Sequence, residues 1–347
     1  MKINLKYFFL FVITAILVVA GIIFLIGYKR ILWPNTDTGK KDSVYLIIPT
    51  GSGYADIMHI LTKQGILKDT VSFNWVAQRK KYPSHIRPGR YKISRTMNNN
   101  EIVNMLRSGR QEPVRIIINS SRSLEKVAAL VSSQLEADSG KIMKLLRDPQ
   151  YLSGFGLKPE TAIGIIIPNT YEFYWNTDAD KFIRRMKAEF DKFWDKDRMK
   201  KADEIGLSPL EVITLASIVD EETMMNDEKR KIAGVYINRL KKPMRLQACP
   251  TLKFATGDWT ITRVLDKYKN IDSPYNTYLH DGLPPGPIII PSISAIDAVL
   301  DYEHNDYLYF AAKEDFSGYH NFAKTLAQHN RNANLYQKAL DERKIMN

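Results

Sequence analysis

Cysteine occurs once, at Cys249, so the chain can close no disulfide on itself and must draw its stability from its core. There is no CxxC pair. The six histidines (His59, His85, His280, His304, His320 and His329) fall at no metal-ligand spacing. The expectation is an enzyme or binding protein with no metal and no cofactor. Acidic residues are scarce relative to basic ones, 38 against 50, which leaves a net charge of +12. Such an excess points to nucleic acid, an anionic membrane surface or an acidic polymer as surroundings. Charge of either sign is missing from Tyr7 to Tyr28, a run of 22 residues. At about 1.5 Å per residue that crosses a hydrocarbon core of roughly 30 Å. The run is too long for the apolar region of a signal peptide, and no small-x-small site follows it. An uncleaved anchor is therefore expected. Lys2 and Lys6 precede it and Lys29 and Arg30 follow, so charge bias alone leaves its orientation open. A body outside the cytoplasm would exclude nucleic acid as a partner.

What remains is ordinary globular sequence, 44% hydrophobic and 25% charged, long enough for two domains. Residues 31–42 are polar, contain Pro34 and Gly39, and read as a tether. Val44–Pro49 reads as a strand, and a helix with Ile57, Ile60 and Leu61 on one face follows. The same strand–turn–helix pattern returns 70 residues later, with a strand at Val114–Ile118 and a helix bearing Leu124, Val127 and Val131. Between the copies lie a turn into a strand, "RPGRYKI", and an Asn-capped helix stopped by Gly109. Residues 43–118 thus form a small α+β module. Helices are then expected at Leu124–Leu135, Asp178–Trp194, Pro209–Thr223 and Asp227–Lys241. The later stretch "PYNTYLHDGLPPGPIIIPS" carries five prolines and reads as rigid extended loop, the kind of segment that carries function.

The helix from Pro209 ends in "LASIVDEET", an apolar run closed by Asp220, Glu221 and Glu222. Ser208, Pro209 and Glu211 make a capping box at its start. At about 100° per residue, Leu215, Ile218 and Val219 fall within about 60° of Glu222. Glu221 lies with Thr214 and Ser217 on the polar side, and Asp220 lies at the far margin with Ile213. Glu222 alone extends the buried stripe. Apolar neighbours, the negative end of the helix dipole and two adjacent acids should all hold its proton on. That is the property of a general acid. The bland alternative is three solvated charges at a helix end.

"LASIVDEET", "VYINRLKKPMRLQACPTLKFATG", "SPYNTYLHDGLPPGPIIIPS" and "HNFAKTLAQHN" occur in an order that resembles the endolytic murein transglycosylase (MltG, YceG-like) family over nearly the whole chain. The resemblance implies an α+β architecture: residues 1–30 a cytoplasmic tip and transmembrane helix, 31–42 the tether, 43–118 a LysM-like module, and 119–347 a mixed helical/β catalytic domain with long Pro/Gly-rich loops. It implies a single-pass protein of the cell inner (cytoplasmic) membrane with its catalytic domain in the periplasm. The implied partners are peptidoglycan glycan strands, peptidoglycan synthases (penicillin-binding proteins) and, through the N-terminal helix, membrane lipid, but no nucleic acid.

The implied reaction cleaves the β-1,4 bond between MurNAc and GlcNAc within a strand and leaves a 1,6-anhydro-MurNAc end. The catalytic Glu of the family's E-x-E-T motif falls on Glu222, and Asp220, a candidate for tuning its pKa, stands at the first Glu. Glu221 is read as solvated. Arg245, Gln247, Asn276, Thr277, Tyr278, His320, His329 and Asn330 occupy motif positions suited to contacts with sugar hydroxyls, N-acetyl groups or the lactyl carboxylate. A structural role is the competing reading for the two histidines and Asn330. Asn238 and Arg239 are expected to brace the catalytic helix. Three positions depart from the family: Ile163 and Asn169 stand where acids are usual in an "EG…PDTY" segment, and Cys249 replaces the Asp of "QxDPT". If those acids matter, the chain would be a wall-binding scaffold with weak or lost catalysis.

Overall fold

The computed structural model describes residues 5–261 and 266–343. Contacts divide the chain into two compact units. The first comprises Met1–Arg115, Gln134–Glu136 and Glu172–Thr177; the second comprises Ile116–Ser133, Ala137–Tyr171 and Asp178–Asn347.

The first unit opens with α1 (Leu5–Leu32), whose apolar side chains are exposed along its length. Within Lys6–Leu32 mean hydropathy reaches 3.2 and none of that window is buried, so the helix is long and apolar enough to cross a membrane. Then follow β1 (Ser43–Ile48), α2 (Tyr54–Lys63), α3 (Thr70–Arg79), β2 (Gly89–Ser94) and α4 (Asn99–Ser108). β1 and β2 pair antiparallel, with Val44 opposite Ile93 and Leu46 opposite Tyr91. Strand alternation sends Leu46, Ile48, Tyr91 and Ile93 inward to meet Ile57 and Leu61 of α2 and Leu106 of α4. The capping of α4 is as its sequence indicates: Asn98 accepts from the Glu101 amide, Glu101 accepts from the Asn98 amide, and Gly109 ends the helix at φ 72°. Residues 31–42 are not a free tether. Asn35, Thr36 and Thr38 are buried, the Asn35 amide donates to Asn99 Oδ1 at 2.7 Å, and the Thr36 hydroxyl donates to the Ser94 carbonyl. Short polar side chains here replace water as partners of backbone groups, which composition alone does not show.

The chain continues through β3 (Val114–Ile118), α5 (Leu124–Ser132), α6 (Ser139–Leu146), α7 (Pro149–Ser153), β4 (Asn169–Phe173), α8 (Ala179–Phe193) and α9 (Lys196–Ile205). β3 and β4 make a two-stranded sheet. The internal repeat is visible as burial at a 70-residue offset: Leu46 and Ile116, Ile48 and Ile118, Ile57 and Val127 are all buried.

Next come α10 (Pro209–Glu222), α11 (Asn226–Lys241), α12 (Cys249–Thr256), α13 (Asp266–Lys269), α14 (Ile293–Leu300), β5 (Tyr309–Ala312), β6 (His320–Ala323) and α15 (Leu326–Glu342). α10 is the centre of the second unit and packs against α9, α11, α12 and α14. Every residue from Val212 to Val219 is buried, so the helix has no solvent face. The polar side expected at Thr214 and Ser217 lies inside instead. Their hydroxyls turn back to the Leu210 and Thr214 carbonyls at 2.7 Å, and Ser217 Oγ also accepts from the Ile288 amide. A hydroxyl satisfied by its own helix can be buried at little cost. The proline-rich stretch is irregular loop, but it runs through successive turns and bends rather than extended as expected: the Asn276 amide donates to the Ser273 carbonyl and the Leu279 and His280 amides to the Asn276 carbonyl, and the Ile290 amide ties the far end to the Ser121 carbonyl at 2.8 Å.

Candidate active site

The capping box that starts α10 is formed: the Ser208 amide donates to Glu211 Oε2 at 2.8 Å, and the Glu211 amide donates to Ser208 Oγ. At the other end Thr223 leaves helical geometry (φ −147°, ψ 140°). The three carboxylates therefore sit on the last turn of a buried helix, where each needs a partner. They find three different ones.

Asp220 accepts from Lys229 Nζ of α11 at 2.6 Å, from the Ser292 amide at 2.7 Å and from Ser292 Oγ at 2.9 Å. Only 10% of its side chain and 6% of that of Lys229 is exposed. This buried pair fastens the end of α10 to α11 and to the segment entering α14. Glu221 is not solvated. Arg122 grips it with two parallel bonds, Nε to Oε1 at 2.8 Å and Nη2 to Oε2 at 2.7 Å, and only 14% of the Glu221 side chain is exposed. Arg122 also lies over the Trp259 ring, 4.5 Å from its centroid. A wheel drawn on one helix cannot show an arginine about a hundred residues earlier in the chain.

Glu222 has neither cation. Its Oε1 accepts from the Tyr236 hydroxyl of α11 at 2.5 Å. Tyr236 is fully buried, with its ring edge-on to Phe310 of β5. Burial pushes the Glu222 carboxyl above its ordinary value. The Tyr236 hydrogen bond opposes that rise, as do His320, Lys253 and Arg239. The direction agrees with the sequence reading, but burial is its cause, and the charges of Asp220 and Glu221 are taken up by Lys229 and Arg122.

Glu222 opens into a cavity of about 510 Å³ that is also lined by Tyr236, Arg239, Gln247, Cys249 and Tyr278. Tyr309, Phe310, Leu326 and His329 bring β5 and α15 to its wall. Among the described residues lining it, Glu222 is the sole carboxylate. A hollow of about 490 Å³ elsewhere on the second unit, beside Leu210 and Pro284, is lined by Glu211, a carboxylate already engaged in the capping box of α10.

Gln247, Tyr278 and His329 thus join Glu222 in one cavity. Gln247 adopts φ 47°, rare for a side-chain-bearing residue, and its amide donates to the Thr277 carbonyl. The Tyr278 hydroxyl meets Cys249 Sγ at 3.3 Å. Burial pushes the His329 ring below its ordinary value, and the ring stacks on Tyr309.

The other motif residues do not line the cavity. Arg245 is paired with Asp281 and donates to the Tyr278 carbonyl. Asn276 is fully buried; its amide serves the Lys269 and Ile271 carbonyls and its Oδ1 takes the Tyr278 amide. Thr277 is buried against the Ala248 amide and the Thr251 hydroxyl. These two hold the loop that carries Tyr278, since a buried loop must satisfy its backbone with side chains. His320 stands just behind the cavity, with Nδ1 on Glu228 Oε2 at 2.8 Å and its ring edge-on to Phe310. Asn330 is exposed on α15.

Arg239 braces a different part than expected. It donates to the Leu308 and Leu246 carbonyls at 2.6 Å, and Asn238 donates to the Asn305 and Tyr307 carbonyls, so the pair secures the approach to β5 rather than α10. Of the three departures, Ile163 is buried among apolar groups and Asn169 is exposed at the start of β4; neither lines the cavity. Cys249 does, and burial pushes its thiol up, keeping it neutral.

Comparison with known proteins agrees with this architecture. The YceG-like family profile matches residues 46–335. A Bacillus subtilis protein named endolytic murein transglycosylase is 31% identical over 334 residues, covering 91% of each chain. A Streptococcus pneumoniae protein of the same name is 28% identical over 343 residues, covering 88% of this chain and 61% of that one. A crystal structure of a yceG-like protein from Listeria monocytogenes superposes with a TM-score of 0.54 at 30% identity, covering 84% of this chain and 99% of that one. With a profile match over most of its length and these relatives, the chain belongs to the YceG-like family.

Proposed function

We propose that this protein is a membrane-anchored endolytic peptidoglycan lytic transglycosylase in which Glu222 is the single general acid and base. One observation carries the reading: among the described residues, a half-buried carboxyl with a raised pKa is the only carboxylate lining a cavity large enough for sugar rings. Glycosidases that use water need two carboxylates, one to protonate the leaving oxygen and one to activate water or attack. A lone carboxyl suits a reaction whose nucleophile belongs to the substrate. Glu222 gives its proton to the glycosidic oxygen, the bond from MurNAc C1 to that oxygen breaks, and GlcNAc leaves with its 4-hydroxyl restored. The MurNAc 6-oxygen closes on C1 and its proton returns to Glu222. No water is consumed, and the product carries a 1,6-anhydro end.

Tyr278 and Tyr309 are suited to stack on sugar faces, Gln247 to meet hydroxyl or N-acetyl groups, and His329 to pack beside them. Arg245, Asn276, Thr277, His320 and Asn330 act, in this reading, by supporting the loop, the hairpin and α15. Asp220 anchors α10. The β1–α2–α3–β2 unit supports assigning residues 43–118 as a LysM-like glycan-binding module, ahead of a catalytic domain over 119–347. α1 supports an anchor in the cytoplasmic membrane, with the body on the outer side where the glycan lies. Lys29, Arg30, Trp33 and Lys68 surround a cavity of about 420 Å³ at its end, suited to anionic lipid headgroups.

The test incubates the purified full chain with glycan strands and weighs the products. Ends lighter by one water than hydrolytic ends are expected; reducing ends alone would refute the mechanism. The second reading, a wall-binding scaffold without catalysis, is favoured only by Cys249 standing in the cavity where the family carries an acid. It predicts binding to sacculi with no cleavage.

A further inference from the structure

Tyr236 lies in the motif that begins "VYINRL", where the sequence assigns it no role beside Asn238 and Arg239. It lies in mid-α11, fully buried, and aims its hydroxyl at one oxygen of one carboxylate. Among the described residues, that bond is the only side-chain hydrogen bond to Glu222. Phe310 of β5 meets the Tyr236 ring edge-on with centroids 5.8 Å apart, which fixes the ring in the direction the bond requires. The packing is therefore specific to Oε1.

We infer that Tyr236 is the positioning residue of the active site: by holding Oε1 of Glu222 it leaves Oε2 to deliver the proton to the glycosidic oxygen and to take one back from the sugar hydroxyl. This rests on the reading of Glu222 as the acid. A carboxyl free to rotate would present its proton to either side of the cavity. One held at Oε1 by a donor presents it in a single direction.

The bond also has an electrostatic role. A phenol donating to a carboxyl oxygen is a stronger partner to carboxylate than to neutral acid. It therefore gains strength as Glu222 loses its proton in the transition state, which is the condition for raising turnover rather than affinity. Burial keeps the Tyr236 proton on the phenol, pushing its pKa well up, so Tyr236 remains the donor throughout the cycle.

The other charged and titratable groups around Glu222 are placed differently. On its own helix, Asp220 and Glu221 are paired with Lys229 and Arg122. Arg239 of α11 is engaged by the Leu308 and Leu246 carbonyls. Cys249 of α12, Lys269 of α13 and Tyr278 line the same cavity, and Lys253 of α12 acts on Glu222 through its charge. Tyr309 and His329 line it too, and His320 of β6, paired with Glu228, acts on Glu222 through its charge. Among the described residues the hydrogen bond given for the Glu222 side chain comes from Tyr236, so the Tyr236 hydroxyl is a group whose removal changes the carboxyl's proton affinity without changing any net charge.

The experiment is Tyr236→Phe in the full-length chain, with release of anhydro-ended product measured across pH. Losing a hydrogen bond to a developing charge should lower kcat by about ten- to a hundredfold with KM little changed. The pH at which activity falls off on the alkaline side should rise by about one unit or more, because the bond favours the charged form of Glu222. An unmoved or lowered alkaline limb, or unchanged kcat, would overturn the inference. If Tyr236→Phe does not fold, replacement of Tyr236 by 3,5-difluorotyrosine decides. Its more acidic phenol is a better donor, so the alkaline limb should move down; an unmoved limb overturns the inference. Failure of the underlying reading looks different: Glu222→Gln would then retain activity, whatever Tyr236→Phe does.

Discussion

Replacing Lys229 by Met isolates what the buried Asp220–Lys229 pair contributes. The pair is 2.6 Å long, and both side chains are at least nine-tenths hidden. Removing one partner of such a pair typically costs about 3–5 kcal/mol, because the remaining charge stays buried without compensation. Asp220 keeps two donors, the Ser292 amide and hydroxyl, so the low end, about 3 kcal/mol, is expected. With roughly 2–4 °C lost per kcal/mol in domains of 150–250 residues, the melting temperature should fall by about 6–12 °C. Pairing Lys229→Met with Asp220→Asn removes the orphan charge while Asn still accepts from Ser292. The double variant should recover about half of the loss. The assay is thermal unfolding of the full chain by circular dichroism, with hydrogen exchange of the α10 and α14 amides to locate the effect. A loss below about 1 kcal/mol, or a double variant as unstable as Lys229→Met alone, would refute the reasoning.

Three further outcomes are expected. Asn276→Ala removes buried bonds to two carbonyls and one amide and should cost about 2–3 kcal/mol, while KM for glycan stays near wild type; a higher KM at unchanged stability would make Asn276 a substrate ligand instead. Cys249→Asp places a second carboxylate in the Glu222 cavity and should move the alkaline limb of activity to higher pH, with Cys249→Ala as the uncharged control; a limb that stays with the control would show that the new charge does not reach Glu222. The third concerns stability against pH. A carboxyl whose pKa is raised on folding contributes fully only below its unfolded value of about 4.5, and that contribution is lost as pH rises through the folded value. Glu222→Gln, which stays neutral, should therefore melt higher than wild type near neutrality, and the difference should vanish in acid. Equal melting curves at neutral pH would mean Glu222 ionises without penalty.

The regular helices were legible because their signals are local. Ser208 and Glu211 mark the start of α10, Asn98 and Gly109 bracket α4, and the 70-residue repeat shows in alternating apolar residues. The position of Glu222 on the apolar stripe was readable for the same reason. Long-range features were not. Thr214 and Ser217 look like a solvent face until α14 and the Ile288 segment cover them. Glu221 looks solvated until Arg122 arrives from α5's approach. Tyr236 lies fourteen positions beyond Glu222 in the "VYINRL" motif, but nothing local to that motif shows its hydroxyl reaching Glu222. β5 and β6 are four residues each, too short for periodicity to show, yet Phe310 orients Tyr236. Asn276 and Thr277 teach a further point: a motif residue can matter for the loop it holds rather than for a ligand it touches.

The central claim is that one carboxyl does the chemistry. Its most direct test compares glycan products of wild type and Glu222→Gln by mass spectrometry, at matched concentration and with folding verified. The account predicts anhydro-ended fragments from wild type and none from the variant, which still binds glycan and melts no lower. Anhydro-ended products from Glu222→Gln would contradict it.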